Sequence, residues 1–319
     1  MPHPNNDNWI SLLAGRSVKA IPAKSISEIA PQRSRIHDPE ANENLPEMSQ
    51  IHENIIIWER QDFMLTAEVY VPKGKGPFPV FLYLHGGGWC VGSAERVRAP
   101  AIRIAERGFT VINLNYSLAP ERPYPKAVEE CVYAARWASV NAQRFNGNGA
   151  RLFIAGDSAG ANLSAATIIA LTDTRYNMDD GGLGDVPVKF AAALLFYGVF
   201  DFPLATREPG SNAGNVEINW NQAYLGPHFL KQHYNPLVSP IYAPNLDKFP
   251  PTYLSCGDED SLLGHSLNMT KALTRENVPT TLSVVAGLDH AFSYVERKLP
   301  EVTPEFERIL SWLAKHKEF

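Results

Sequence analysis

The pattern of apolar and polar positions divides the chain into an irregular start and a strongly patterned remainder. The first fifty or so residues are polar and aperiodic, SISEIAPQRSR and DPEANENLPEMSQ being the most loop-like stretches. Order then sets in. Residues 55–58 (IIIW) and the alternating run 63–71 (FMLTAEVYV) predict two strands of a hairpin, since alternation places every second side chain on one face. After the turn KGKGPFP, the unbroken apolar run 80–84 (VFLYL) predicts a strand buried on both faces. From there strands and helices alternate. Helices are predicted over 97–107, 127–142, 159–172, 262–274 and 306–315, and strands over 109–114, 151–156, 191–198, 252–256 and 281–285. Repeated βα units after an opening hairpin imply an α/β fold: a mostly parallel central sheet flanked by helices, with an antiparallel edge.

One segment breaks that rhythm. About fifty residues, rich in aromatics and prolines, separate the strand ending near Gly198 from the one starting near Thr252. A connection of that length predicts an insertion with structure of its own. The glycines around 181–184 predict only a surface loop.

Chemistry enters where strands end. Gly156-Asp157-Ser158-Ala159-Gly160 lies between a predicted strand and a predicted helix, the setting of a G-x-S-x-G nucleophile elbow. The glycines admit a tight, strained turn that exposes the serine Oγ, and the Ala159 amide follows at the start of the helix. The helix N-terminus adds partial positive charge where an oxyanion would form. His85-Gly86-Gly87-Gly88-Trp89 follows the buried strand directly, and its uncovered amides suit an oxyanion hole. It lacks the Lys-Ser/Thr or G-x-G-x-x-G spacing of a phosphate loop. His85 itself reads as a structural brace.

A serine nucleophile needs a base, and the base needs an acid to orient it. Of nine histidines, His290 follows the last predicted strand, whereas His265 falls inside a helix, His85 opens the glycine-rich loop, and the others lie in the leader, the insertion or the terminal helix. Gly257-Asp258-Glu259-Asp260 follows the strand 252–256 and offers three carboxylates. Asp260, at the start of the next helix, is the preferred acid, with Asp258 as the alternative. The chain order Ser158, Asp260, His290 is that of α/β-hydrolases.

Composition removes other function classes. The net charge is -5 with Lys and Arg scattered, which excludes an electrostatic nucleic-acid binder. Cys90, Cys131 and Cys256 are too few and too dispersed for a disulfide framework or a zinc site. No apolar run approaches the ~18–20 residues of a membrane span, and MPHPNNDNWI lacks the build of a signal peptide. These features predict a cytoplasmic protein acting on a small molecule without membrane or nucleic-acid partners. They leave a homodimer open.

The set HGGGW (85–89), NYSLAPERPYP (115–125), GDSAG (156–160), GDEDSL (257–262) and GLDHAF (287–292) resembles the hormone-sensitive-lipase-like esterases of the α/β-hydrolase superfamily, in the same order and spacing. The resemblance implies a triad of Ser158, Asp260 and His290, oxyanion donors at Gly86, Gly87 and Ala159, and no metal or organic cofactor. It also implies a helical cap formed by residues 1–54 and an insertion at 200–236, over a core of 55–199 and 237–319. Trp89, Phe200, Phe202, Trp220 and Tyr224 become candidates to line a substrate pocket. Ser117, Ala161, Ser261 and Ala291 depart from the family pattern, and none of them removes a reacting group. Asp157 and Glu121 match it and read as loop braces. The activity implied is hydrolysis of short-chain acyl esters. The same machinery could cleave an aryl formamide, a lactone or a carbamate, because a triad does not choose its leaving group. A non-catalytic small-molecule receptor of this fold is the contrasting class; the presence of His290 speaks against it.

Overall fold

The computed structural model describes residues 26–29, 33, 42–95, 98–176, 178, 181–184, 186–205, 216–226, 229–295 and 301–317. Their strands are β1 (Gln50–Arg60), β2 (Phe63–Val71), β3 (Phe78–Leu84), β4 (Thr110–Asn115), β5 (Gly147–Asp157), β6 (Phe190–Phe196), β7 (Thr252–Gly257) and β8 (Thr280–Val285). The helices are α1 (Arg98–Glu106), α2 (Lys126–Asn141), α3 (Ala159–Thr172), the single turn α4 (Phe202–Ala205), α5 (Val216–Leu225), α6 (Leu263–Arg275) and α7 (Thr303–Lys317). All eight strands form one sheet in the order β1-β2-β4-β3-β5-β6-β7-β8. The β1/β2 and β2/β4 pairs are antiparallel and every later pair is parallel, matching the sheet that the alternating pattern predicts.

The sheet starts earlier than its apolar signal. β1 begins at Gln50, so residues 50–54 join the core sheet instead of the leader. The cause is its edge position: QIHEN is exposed or half-buried, and an edge strand with a solvated face carries little hydrophobic alternation.

Burial on both faces explains the unbroken apolar runs of the central strands. In β3, Val80, Leu82 and Leu84 pack into the core on the α2/α3 side, while Phe81 and Tyr83 enter the core on the α1/α7 side. All five are completely buried. At roughly 1.5–3 kcal/mol per fully buried large side chain, β3 is a main anchor of the sheet.

The topology sets the place of the site. From β3 the chain steps outward to β4, then returns to the other side of β3 for β5 and continues to β8. Open α/β sheets carry their sites at such a reversal, where loops from neighbouring strands diverge and leave a crevice. Leu84 of β3 pairs in register with Gly156 of β5, so the glycine-rich loop and the serine turn leave the sheet side by side.

Of the leader, residues 1–25, 30–32 and 34–41 lie outside the described residues. The described turn Ile26–Glu28 lies beside α5, and Ile29 is buried in the core. Arg33 reaches the carbonyl of Cys90 at 2.6 Å and grips both carboxylate oxygens of Glu121 at 2.7 Å. This ties the leader to the segment following the glycine-rich loop. Of the 200–236 insertion, residues 206–215 and 227–228 lie outside the described residues; the rest consists of short helices.

Candidate active site

Ser158 sits between β5 and α3 with φ 51° and ψ −117°, in the left-handed half of backbone space that serine rarely adopts. Its amide donates to the Phe196 carbonyl at 2.9 Å, which helps hold the strained turn. The flanking glycines are needed for closeness. A Cβ on Gly160 would come within 2.0 Å of the Leu84 carbonyl oxygen, and one on Gly156 within 2.3 Å of the Gly160 carbonyl oxygen.

His290 and Asp260 converge on this serine from the ends of β8 and β7. His290 Nε2 is 3.0 Å from Ser158 Oγ, and its Nδ1 is 2.9 Å from Asp260 Oδ2. A carboxylate only accepts, so Nδ1 carries the ring proton and Nε2 accepts the serine hydroxyl. The Asp260 side chain is fully buried, and its Oδ1 accepts the Leu262 amide at 2.8 Å. Burial alone would raise the Asp260 pKa, but the facing imidazole and these hydrogen bonds outweigh it and hold the carboxyl below its usual range. Burial disfavours the His290 imidazolium, yet the attraction of Asp260 prevails and lifts the histidine above its ordinary value.

The competing carboxylates serve elsewhere. Asp258 is exposed and accepts the Gly287 amide at 2.7 Å, bracing the loop that presents His290. Glu259 is also exposed. Asp289 accepts the backbone amide of His290 at 2.6 Å. His265, assigned to a helix from the sequence, lies in α6 and is buried.

The glycine-rich loop corrects one expectation. The Gly86 amide donates to Asp157 Oδ1 at 3.1 Å, so that N–H is already taken and is not an available oxyanion donor. Among the described residues, the amides of Gly87, Gly88 and Ala159 donate no hydrogen bond. Gly88 therefore offers an uncommitted amide that the sequence reading did not single out, although it stands in the same glycine run. Asp157 is completely buried; its Oδ2 also accepts the Tyr294 hydroxyl, which lies beyond His290. This carboxylate thus joins the oxyanion loop to the histidine loop. His85 braces the loop too, with Nδ1 2.8 Å from the Gly86 carbonyl and its ring stacked on Tyr116 at 4.2 Å. The Tyr116 hydroxyl donates to the His85 carbonyl at 2.7 Å.

The aromatic candidates divide unevenly. Phe200, Phe202, Trp89 and Tyr224, candidates to line a substrate pocket, are buried in the main core cluster. Trp89 stacks on Tyr224 with ring centres 4.5 Å apart and planes 5° from parallel, and Phe202 packs on Trp89 at 5.5 Å. The stack supports Trp89 at φ 59°, beside the last loop glycine. Trp220 remains partly exposed, its ring where a Gly88 Cβ would be. Aromatic residues in a connecting segment signal burial of area; whether that area faces a ligand or other rings is a matter of packing.

The comparisons agree with this architecture. The model of the alpha/beta hydrolase fold family matches residues 81–294. The chain is 30% identical over 237 residues to the carboxylic ester hydrolase LipN of Mycobacterium tuberculosis, covering 72% of this chain and 61% of that protein. It is 29% identical over 260 residues to an arylesterase of Saccharolobus solfataricus, covering 80% and 81% of the two chains. A hyperthermophilic esterase from Pyrobaculum calidifontis superposes with a TM-score of 0.80 at 24% identity, covering 98% of this chain and 97% of that one. The strand order, the serine turn and the matched segment lead to one assignment: the chain belongs to the alpha/beta hydrolase fold family, in its hormone-sensitive-lipase-like branch.

Proposed function

We propose that the protein is a serine carboxylesterase that hydrolyses short-chain acyl esters through an acyl-enzyme intermediate. The observation that carries this reading is the hydrogen-bonded chain Ser158 Oγ, His290 Nε2, His290 Nδ1, Asp260 Oδ2, with links of 3.0 and 2.9 Å. In this scheme Ser158 attacks the ester carbonyl while His290 takes the hydroxyl proton, and Asp260 stabilises the imidazolium. The developing oxyanion draws on the amides of Gly87, Gly88 and Ala159, which have no partner of their own among the described residues. Each such donor is worth on the order of 3–4 kcal/mol in the transition state. His290 then returns its proton to the leaving alcohol and activates water against the acyl-serine.

Relatives named as a carboxylic ester hydrolase and an arylesterase support an ester as substrate. The dense packing of Trp89, Phe202 and Tyr224 beside the glycine loop supports a short acyl group. Ser158→Ala should abolish turnover of p-nitrophenyl butyrate with the circular-dichroism spectrum unchanged. Turnover persisting in that variant would refute the nucleophile, and brisk hydrolysis of emulsified long-chain triglycerides would refute the short-acyl preference.

A further inference from the structure

The insertion leaves the core through Val199–Phe202 and returns through Val238–Ser239, and two buried polar side chains hold these stems. His265 of α6 is one. Its Nδ1 accepts the backbone amides of Phe200 at 3.2 Å and Asp201 at 3.1 Å. A nitrogen that accepts two N–H groups carries no proton, so the ring is neutral with its hydrogen on Nε2. Burial, opposed by Asp201 and Asp260, pulls its pKa down to about 4 and keeps it an acceptor at neutral pH. Asn162 of α3 is the other. Its Nδ2 donates to the Val199 carbonyl at 2.7 Å and to the Val238 carbonyl at 2.8 Å, joining the outgoing and returning stems. Ser239 closes the arrangement by accepting the Phe202 amide at 3.0 Å.

The two residues stand on the helices that directly follow Ser158 and Asp260 in the chain. Asn162 lies one turn into α3, and its own amide donates to the Ser158 carbonyl at 3.2 Å. His265 lies in the first turn of α6, directly after the Asp260–Leu262 turn. From the clamped stem, the Phe202 ring packs on Trp89, which adjoins the loop amides of Gly87 and Gly88. A continuous path therefore runs from the serine and acid helices, through the stems, to the oxyanion loop.

We propose that His265 and Asn162 are positioning residues, which lock both stems of the insertion to the nucleophile and acid helices and thereby hold Phe202 and Trp89 against the oxyanion loop. The inference rests on the reading of Ser158 as a serine-hydrolase nucleophile. Neither residue touches substrate. Loss of the clamp acts on the rate of the chemical step through the placement of the loop amides, and leaves the population of reactive serines intact.

The test compares His265→Leu, which removes the acceptor at similar volume, with His265→Asn, whose Oδ1 can stand in for Nδ1, and with Asn162→Ala. Active sites are counted by end-point labelling with a fluorophosphonate, and kcat and KM are measured on p-nitrophenyl butyrate. Per labelled site, kcat should fall about tenfold in His265→Leu and in Asn162→Ala with KM changed less than about twofold, the scale of one lost buried hydrogen-bonding set. His265→Asn should recover to within about threefold of the wild type. The double variant His265→Leu/Asn162→Ala should lose clearly less than the product of the single losses, because both residues hold the outgoing stem. A merely structural role would lower thermal stability and leave kcat per labelled site at the wild-type value, and that result overturns the proposal. Equal impairment of the Leu and Asn variants at position 265 also overturns it. Should His265→Leu fail to fold, Asn162→Ala carries the same kinetic test with the same deciding outcomes. Failure of the underlying hydrolase reading has a different signature: the wild type itself would neither label nor turn over.

Discussion

Replacing Asp260 by asparagine should do more damage than the loss of one charge suggests. Asp260 Oδ1 accepts the Leu262 amide at 2.8 Å and Oδ2 accepts His290 Nδ1–H at 2.9 Å. In Asp260→Asn the single carbonyl oxygen can satisfy only one of these donors in the present geometry. If it keeps the backbone amide, which cannot move away, the side-chain NH₂ faces His290 Nδ1. The imidazole then places its proton on Nε2, and the nitrogen facing Ser158 becomes a donor that cannot take the hydroxyl proton. Retaining the productive tautomer would leave a buried N–H without a partner, at about 1–3 kcal/mol. The charged hydrogen bond to the imidazolium formed during reaction is lost as well, about 1.5–3 kcal/mol. Together these amount to about 2.5–6 kcal/mol, or about 10²–10⁴ in rate. The assay is kcat on p-nitrophenyl butyrate, normalised to sites labelled by a fluorophosphonate at long exposure, with Asp258→Asn as control. Asp258 is exposed and braces only the Gly287 amide, so its variant should stay within about fivefold of the wild type, the scale of one ordinary hydrogen bond. A kcat for Asp260→Asn within tenfold of the wild type, or a larger loss in the control, would refute the reasoning.

Three further outcomes are expected. Asp260 raises the His290 pKa and the base must be neutral to act, so activity should be lost as pH falls through a midpoint above the ordinary histidine value of about 6.5; a kcat/KM profile with its acid limb below pH 6 would contradict this. Gly160→Ala should lower stability by roughly 3 kcal/mol or more, because its Cβ would lie 2.0 Å from the Leu84 carbonyl oxygen and backbone would have to move; chemical denaturation with an unshifted midpoint would show that the turn has slack. Asp157→Asn should reduce kcat about tenfold or more by loosening the Gly86 amide and the Tyr294 hydroxyl that this carboxylate joins; unchanged kinetics would mean that the loop holds itself.

The features readable from sequence share a property: each depends on a short stretch of chain. The alternation of 63–71 and the apolar run 80–84 mark strands because side-chain period and burial are local consequences of backbone geometry. The glycines around Ser158 mark a turn because only they tolerate such close backbone approach. The edge strand was harder to read, since solvent on one face removes the pattern that would reveal residues 50–54. His265 and Asn162 left no functional signal, because a histidine or an asparagine inside a helix looks the same whether it caps a distant stem or fills space.

By itself, then, the sequence determined the order of the elements, the strand-turn-helix around Ser158 and the glycine-rich loop after β3. Tertiary structure decided which partners those groups meet. It seated Asp260 rather than Asp258 against His290, thirty residues away in the chain, and it committed the Gly86 amide to Asp157 instead of leaving it open. It also packed Phe200, Phe202, Trp89 and Tyr224 into one buried cluster. The physical reason is range. Backbone conformation and burial period are set by near neighbours, whereas a hydrogen bond between side chains on different strands exists only once the sheet has fixed both ends within about 3 Å.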